Sequence, residues 1–154
     1  MILKTPIPNL LSLPRFTAAV PPPVVPLFTT ASPKDFRGEA TGRIVAPLVA
    51  GGRQVGVVLE CDGTATHLGR YRRSEEIRFG EDGTLAGDFV LRSAHGDELH
   101  IRFEGRMVSP CEARGTYEIA GGRGRFQSVF GEAEVVVTVD GSHVSMVFEG
   151  SISF

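Results

Sequence analysis

From Phe36 onward, hydrophobic and polar residues alternate in short runs that are separated by turn residues. In the run 98–108, Leu99, Ile101, Phe103 and Met107 share one face, and polar or charged residues occupy the opposite face. Alternation with a period of two places successive side chains on opposite sides of a β-strand. The pattern therefore predicts eight strands, each with one buried and one solvent-facing side. The predicted strands span 36–47, 54–67, 69–79, 84–92, 98–108, 111–119, 131–139 and 143–154.

The connections between these runs are short and rich in glycine and aspartate. Gly51-Gly52, Asp82-Gly83 and Asp140-Gly141 are typical of tight hairpin turns. No run after residue 36 has a helical period, although 125–129 is compatible with one short turn. The pattern predicts an all-β fold, an eight-stranded antiparallel β-barrel, because closure removes the exposed sheet edges. A two-sheet sandwich is the alternative architecture.

Residues 1–35 differ from the rest of the chain in composition. Eight of the ten prolines lie in this segment. Proline lacks a backbone donor and favours an extended conformation, so the segment is predicted to be a proline-rich extended N-terminal arm. Its many apolar residues predict that it packs on its own barrel, across one barrel mouth or on a partner subunit; a floppy tail is the alternative. The predicted domains are thus a 1–35 arm and a 36–154 barrel.

Strands one, two and six place many small residues on the predicted inner face. An eight-stranded barrel is just wide enough either to be filled by side chains or to hold one small ligand. Small inner residues leave room for a ligand, but glycines also let strongly coiled strands bend at barrel corners. The sequence leaves both interpretations open. The small residues are Gly38, Ala40, Gly42, Gly63, Ala65, Ala113 and Gly115.

Two charged residues fall on the predicted inner face of strand three. Arg73 and Glu75 have the same parity as Tyr71. Buried charges are rare unless they are paired, so an arginine and a glutamate inside an apolar barrel are typical of a ligand site. A carboxyl group held there tends to have a raised pKa and can act as an acid or base. We therefore predict Glu75, Arg73 and Tyr71 as catalytic candidates.

The ligand-binding candidates are inner-face residues of neighbouring strands. Two other interpretations of the charged residues remain open. They form a structural ion pair that plugs the barrel, or a bulge near Gly69 turns both of them towards solvent. The predicted ligand-binding residues are Cys61, His67, Phe103, Tyr117 and Phe148.

Charge and cysteine content narrow the function classes. The formal net charge is −2, which does not favour binding to nucleic acid or to an anionic membrane. No apolar run is long enough to span a bilayer, and Pro6 and Pro8 interrupt any signal-peptide core, so a cytoplasmic protein is expected. Cys61 and Cys111 are predicted to point inward from strands that are not neighbours, so both are expected to be free thiols.

Sequence motifs for cofactor or metal binding are not found. The sequence contains no phosphate-binding loop, no dinucleotide fingerprint and no nucleophile elbow. The four histidines lie in different predicted elements and do not form a recognisable zinc set. We therefore predict no cofactor and no metal.

Several strings of the chain resemble known β-barrel families. GTATHLGRYRR (63–73), SAHGDELH (93–100), GTYEIAGGRGRF (115–126) and the terminal VFEGSISF are similar to a large, mostly uncharacterised group of bacterial β-barrel proteins. The glycine-rich GGRGRF turn also resembles a turn of the allene oxide cyclase and dirigent barrels. The resemblance covers the barrel and not the arm. It implies an eight-stranded barrel with an inner cavity.

The resemblance also implies a kind of activity. Characterised members of these families bind hydrophobic or polyene-like substrates and steer cyclisation or radical coupling without a metal or organic cofactor. Plant cyclases use a glutamate in the cavity, and Glu75 is the nearest candidate by type in this chain. These strings lie at turns and strand starts, so they indicate the fold strongly and the chemical activity weakly.

Two functional hypotheses follow. The first is a small-molecule-binding barrel, either a binder or a cofactor-free isomerase or cyclase acting on an apolar, polyene- or polyketide-like substrate. The second is a non-enzymatic structural or protein-interaction barrel with a filled core. The expected partners are an apolar small molecule and further copies of the chain, as a dimer or trimer formed through the arm. A cavity of roughly 300 Å³ or more favours the first hypothesis, and a fully packed interior favours the second.

Overall fold

Alternating side chains place eight strands around a common interior in the computed structural model, which describes residues 32–154. The strands are β1 (Lys34–Ala50), β2 (Arg53–Ala65), β3 (Gly69–Phe79), β4 (Thr84–Ser93), β5 (Glu98–Ser109), β6 (Glu112–Arg123), β7 (Phe130–Asp140) and β8 (His143–Ser153). Each strand pairs antiparallel with the next, and β8 pairs with β1, so the sheet closes. The predicted all-β, eight-stranded barrel is confirmed. Residues 1–31 of the predicted arm lie outside the described residues, so the extended form of the arm, its packing and an oligomer formed through it remain predictions.

Several strand boundaries differ from those expected, and the start of β1 and the end of β6 show why. β1 begins at Lys34, inside the segment predicted as arm, because Lys34 already pairs with Ile152 of β8. β6 continues to Arg123 instead of ending near residue 119, because Arg123 pairs with Glu98 of β5. Pairing with β5 therefore extends β6 across glycines that resemble a turn in the sequence.

The two ends of the barrel differ in how they are covered. At one end, the β2–β3, β4–β5 and β6–β7 connections lie together with the start of β1. Leu68, Phe126 and Val129 of these connections are buried, and a 3₁₀ turn at Gly124–Phe126 brings the Phe126 ring inward. We call this the sealed end. The opposite end, formed by the four remaining hairpin turns, is the open end.

Aromatic rings fill the space beside small inner residues. A Cβ atom added at Gly38 would overlap the Phe148 ring, and one added at Gly63 would lie 2.6 Å from the Tyr71 hydroxyl oxygen. These glycines therefore let rings from neighbouring strands pack directly against the backbone. They do not leave the vacant space that one interpretation of the sequence expected.

The seam between β3 and β4 is paired only near its two ends. Backbone pairs join residues 71–72 and 78–79 of β3 to β4. Within the described barrel, residues 73–77 of β3 and 87–91 of β4 are not paired with each other. The unpaired part of the seam therefore coincides with the segment that carries Arg73 and Glu75.

We expect the β4-facing amides of residues 73–77 to exchange with solvent faster than the amides of β7, whose 11 residues all pair with β8. A seam held only at its ends opens locally at lower free energy than a continuous ladder. Hydrogen–deuterium exchange followed by NMR should show protection factors for residues 73–77 that are lower than those of β7 by about tenfold or more. This difference corresponds to a free energy of local opening that is lower by about 1.4 kcal/mol. Equal protection of the two segments would contradict this prediction.

Candidate functional site

A cavity of about 190 Å³ lies in the part of the barrel nearest the open end. Its wall is apolar except for the side chains of Arg73 and Glu75 and the hydroxyl of Tyr117. Alternation along β3 turns both charged side chains to this inner side. The apolar lining includes Ile44, Leu59, Ile77, Phe89, Phe103 and Val137, with Phe79, Met107 and Pro110 towards the mouth.

Arg73 makes four kinds of contact in this cavity. Its Nη2 lies 3.0 Å from Glu75 Oε1, and its Nη1 donates a hydrogen bond of 3.1 Å to the Tyr117 hydroxyl oxygen. Nη2 also contacts the Met146 sulfur. The guanidinium Cζ lies 4.3 Å from the centroid of the Phe89 ring, in a cation–π contact. These contacts hold the guanidinium in one orientation beside the carboxylate.

The ion pair is buried but incompletely satisfied. Arg73 is 3% and Glu75 is 4% exposed, which rules out the solvent-facing interpretation. Arg73 Nε and Glu75 Oε2 are buried and have no hydrogen-bond partner within the described residues. Most buried polar atoms in proteins are hydrogen-bonded, and leaving one unpaired costs about 1–3 kcal/mol. Each of the two charged residues that line this apolar cavity therefore carries one polar atom without a hydrogen-bond partner.

Burial shifts the pKa values of the ionisable groups in the cavity. It raises the pKa of Glu75 above the ordinary value of 4.5, and the Arg73 guanidinium offsets only part of this shift. Burial also raises the pKa of Tyr117 to about 12, so the hydroxyl stays protonated at neutral pH. Arginine remains charged throughout the accessible pH range. Glu75 is therefore the group in this cavity best suited to exchange a proton.

The raised pKa of Glu75 predicts the direction in which stability changes with pH. The folded protein binds this proton more tightly than the unfolded chain, so its contribution to the free energy of unfolding should fall as pH rises above 4.5 and through the folded-state pKa. Urea unfolding between about pH 4 and pH 8 measures this against the Arg73→Met/Glu75→Leu variant, which lacks both ionisable groups. A difference from that control that grows with pH would mean that folding lowers the pKa of Glu75.

The structure brings half of the predicted site residues together. Glu75, Arg73, Phe103 and Tyr117 line the cavity. They come from β3, β5 and β6, whose inner faces follow the alternation in the sequence. Their inward orientation is confirmed, whereas their roles in binding or catalysis remain proposals.

Three other predicted site residues lie in the barrel interior but do not line this cavity. Tyr71, Cys61 and Phe148 are each at most 4% exposed. The Tyr71 hydroxyl lies 3.5 Å from the carbonyl oxygen of Glu39. Burial raises the pKa of the Cys61 thiol, which disfavours the reactive thiolate form. These three residues therefore belong to the packed part of the barrel.

The predicted inward positions of His67 and Cys111 are wrong. β2 ends at Ala65, so His67 lies exposed in the following turn, and its Nε2 is 3.0 Å from the Asp35 carbonyl oxygen. Cys111 is exposed in the β5–β6 turn, because β6 begins at Glu112. Both residues lie beyond the end of a strand, where the alternation of inward and outward side chains no longer applies. Both cysteines are free, as predicted.

Phe89 and Met146 contact Arg73 but are not among the site residues predicted from the sequence. Phe89 lies under the guanidinium of Arg73, and Met146 contacts its Nη2. Both residues lie at inward-facing positions of their strands, so the alternation of side chains was the sequence signal that could have identified them. Parity alone does not show which inner side chains reach the arginine.

The volume of the cavity lies between a ligand-sized cavity and a fully packed interior, the two outcomes that would separate the two functional hypotheses. At about 190 Å³ it is smaller than the ~300 Å³ that marks the lower end of typical ligand pockets. It is nevertheless larger than the ~150 Å³ apolar cavity that is sufficient to bind benzene. The interior is therefore neither fully packed nor large enough for an extended ligand.

Neither a metal centre nor a membrane-spanning helix is found in residues 32–154. No three His, Cys, Asp or Glu side chains are grouped there so as to hold a metal ion. No helix in this range has the length and hydropathy that crossing a bilayer requires.

The fold and the site define a closed eight-stranded antiparallel barrel with a buried arginine–glutamate pair beside an apolar cavity. The structure of the pterocarpan synthase dirigent protein GePTS1 is similar, with a TM-score of 0.59 and 16% identity over 86% of this chain and 94% of that chain. This similarity shows that the barrel has a dirigent-like fold. A protein of unknown function from Clostridium acetobutylicum ATCC 824 has a TM-score of 0.46 and 10% identity over 77% of this chain and 97% of that chain. No protein-family model and no curated protein matches the sequence.

Proposed function

We propose that this chain is a small-molecule-binding barrel that holds an apolar ligand in the cavity beside Arg73 and Glu75. The observation that carries the proposal is the buried, unpaired state of Arg73 Nε and Glu75 Oε2 in an otherwise apolar cavity. An apolar wall with a few convergent polar groups is typical of ligand sites. The similar dirigent barrel is named as a synthase, which is a precedent for small-molecule chemistry in this fold.

A finer proposal is a cofactor-free isomerase or cyclase in which Glu75 is the catalytic acid–base group. Burial raises the pKa of Glu75 above that of an ordinary carboxyl group, so this group binds a proton more readily and can deliver it to a substrate. Arg73 positions the carboxylate, and the apolar wall holds the substrate in a reactive conformation. Tyr71 does not line the cavity, so this proposal leaves it out.

Binding of a small apolar probe tests the proposed function. We expect toluene to shift the ¹³C-methyl NMR signals of Met107 and Met146, because both side chains line the cavity. Ala113 also lines the cavity, and Ala113→Leu should abolish these shifts by filling the space.

The matched control for this experiment is Ala120→Leu. Ala120 lies on the same strand as Ala113 but is exposed, so its replacement should leave toluene binding unchanged. Circular dichroism checks that both variants remain folded. Absence of toluene binding to the native chain, or equal binding to Ala113→Leu, would overturn the proposed function.

A non-enzymatic barrel with a filled core is the second candidate. The observation that favours it is the packing of Phe148 and Tyr71 against Gly38 and Gly63, which leaves no space in that part of the interior. The toluene experiment separates the two candidates, because a filled core has no room for the probe.

A further inference from the structure

We propose that the occupant of the cavity is a neutral molecule of single-ring size whose polar group is a hydroxyl that donates a hydrogen bond to Glu75 Oε2. This inference rests on the proposed function and specifies the charge, the polar group and the size of the ligand. The charge balance of the cavity indicates the charge of the ligand, the unpaired atoms indicate its polar group, and the cavity volume indicates its size.

The charge of the ligand follows from the ion pair. Within the described residues, Arg73 and Glu75 are the charged side chains that line the cavity, and with Glu75 ionised their 3.0 Å contact balances one positive charge with one negative charge. A ligand carboxylate or ammonium group would enter an apolar cavity without a counter-charge of its own. Burying an unpaired charge costs several kcal/mol, so the ligand is neutral.

The polar group follows from which atoms are already paired. Arg73 Nη1 donates to Tyr117, and Nη2 faces Glu75 Oε1. The Tyr117 hydroxyl in turn lies 3.5 Å from the Met146 sulfur. The atoms that remain are the acceptor Glu75 Oε2 and the donor Arg73 Nε. A hydroxyl both donates and accepts, whereas a ketone or ether offers nothing to Oε2 and an amine is charged at neutral pH.

The size follows from the cavity volume. About 190 Å³ exceeds the ~150 Å³ that suffices for benzene but is well below the volume of a typical drug-sized pocket. A single ring with a short substituent fits this space. The long polyene- or polyketide-like substrate expected from the family resemblance does not.

Three probes of matched shape test the inference: cyclohexylmethanol, methylcyclohexane and sodium cyclohexanecarboxylate. Their affinities for the native chain are measured at pH 8, which favours the ionised form of Glu75, by the methyl NMR shifts of Met107 and Met146. We expect the alcohol to bind about tenfold tighter than the hydrocarbon, since hydrogen bonds to charged groups contribute about that much. We expect no detectable binding of the carboxylate.

The Arg73→Met/Glu75→Leu variant provides the control, because it removes both charges together. It should still bind methylcyclohexane but lose the preference for the alcohol. If no probe binds the native chain, the proposed function fails and this inference fails with it. If the hydrocarbon binds as tightly as the alcohol, if the carboxylate binds best, or if the double variant keeps the preference, only this inference is overturned.

Discussion

Replacement of Glu75 by leucine is expected to lower the free energy of unfolding by about 3–5 kcal/mol, the usual effect of removing one partner from a buried ion pair. Arg73 is 3% exposed and would be left with its charge in an apolar interior. An arginine side chain cannot escape this cost by releasing its proton. Urea unfolding of the native chain and of Glu75→Leu at pH 7 measures the difference.

The two matched variants of the ion pair should behave differently from Glu75→Leu. Arg73→Met should destabilise less, because the Glu75 left behind has a raised pKa and can become neutral by binding a proton. The double variant Arg73→Met/Glu75→Leu should be as stable as the native chain or more stable by about 1–4 kcal/mol. If the double variant is as unstable as Glu75→Leu, the loss comes from packing and the ion-pair explanation is wrong.

Replacement of Phe148 by alanine is expected to lower the free energy of unfolding by a similar amount, about 3–5 kcal/mol. Phe148 is 1% exposed, and its ring centroid lies 5.1 Å from that of Phe36 and 5.4 Å from that of Tyr117. Its removal leaves a void over Gly38, where the ring now packs against the backbone. Urea or thermal unfolding measures the loss.

The control for Phe148→Ala is the same substitution at Phe130. Phe130 is also on a strand of the barrel but is 63% exposed, so its replacement should change stability by no more than about 0.5 kcal/mol. The void left by Phe148→Ala should also bind benzene, because empty apolar cavities of this kind do. A loss of less than about 1 kcal/mol at Phe148 would show that this part of the interior is not packed as described.

The sequence was sufficient to predict the fold because alternation of apolar and polar residues is a local property of each strand. Leu99, Ile101 and Phe103 show this on β5, where all three are buried, whereas Met107 on the same predicted face is 37% exposed near the end of the strand. The same rule placed Arg73 and Glu75 inside the barrel, although they are charged. Burial of both charges was predictable because successive side chains of a short strand point to opposite faces whatever the residue type.

The alternation rule failed where a strand ends. His67 lies two residues beyond the end of β2, in a backbone conformation with a φ of +68°, outside the extended region of a regular β-strand. Cys111 lies one residue before β6 begins. Strand ends depend on which residues find partners across the sheet, and these partners are distant in sequence.

The sequence by itself thus determined the all-β class, because this follows from the period of the side chains, and it predicted the barrel and the inward direction of the charged pair ahead of the sandwich and solvent-facing alternatives that the structure excludes. The tertiary structure alone decided which interior residues surround a cavity and which fill the core. That distinction depends on how side chains from strands far apart in sequence meet. Phe148 takes up the space over Gly38, whereas Phe89, Tyr117 and Met146 gather around Arg73 and leave about 190 Å³ beside Glu75.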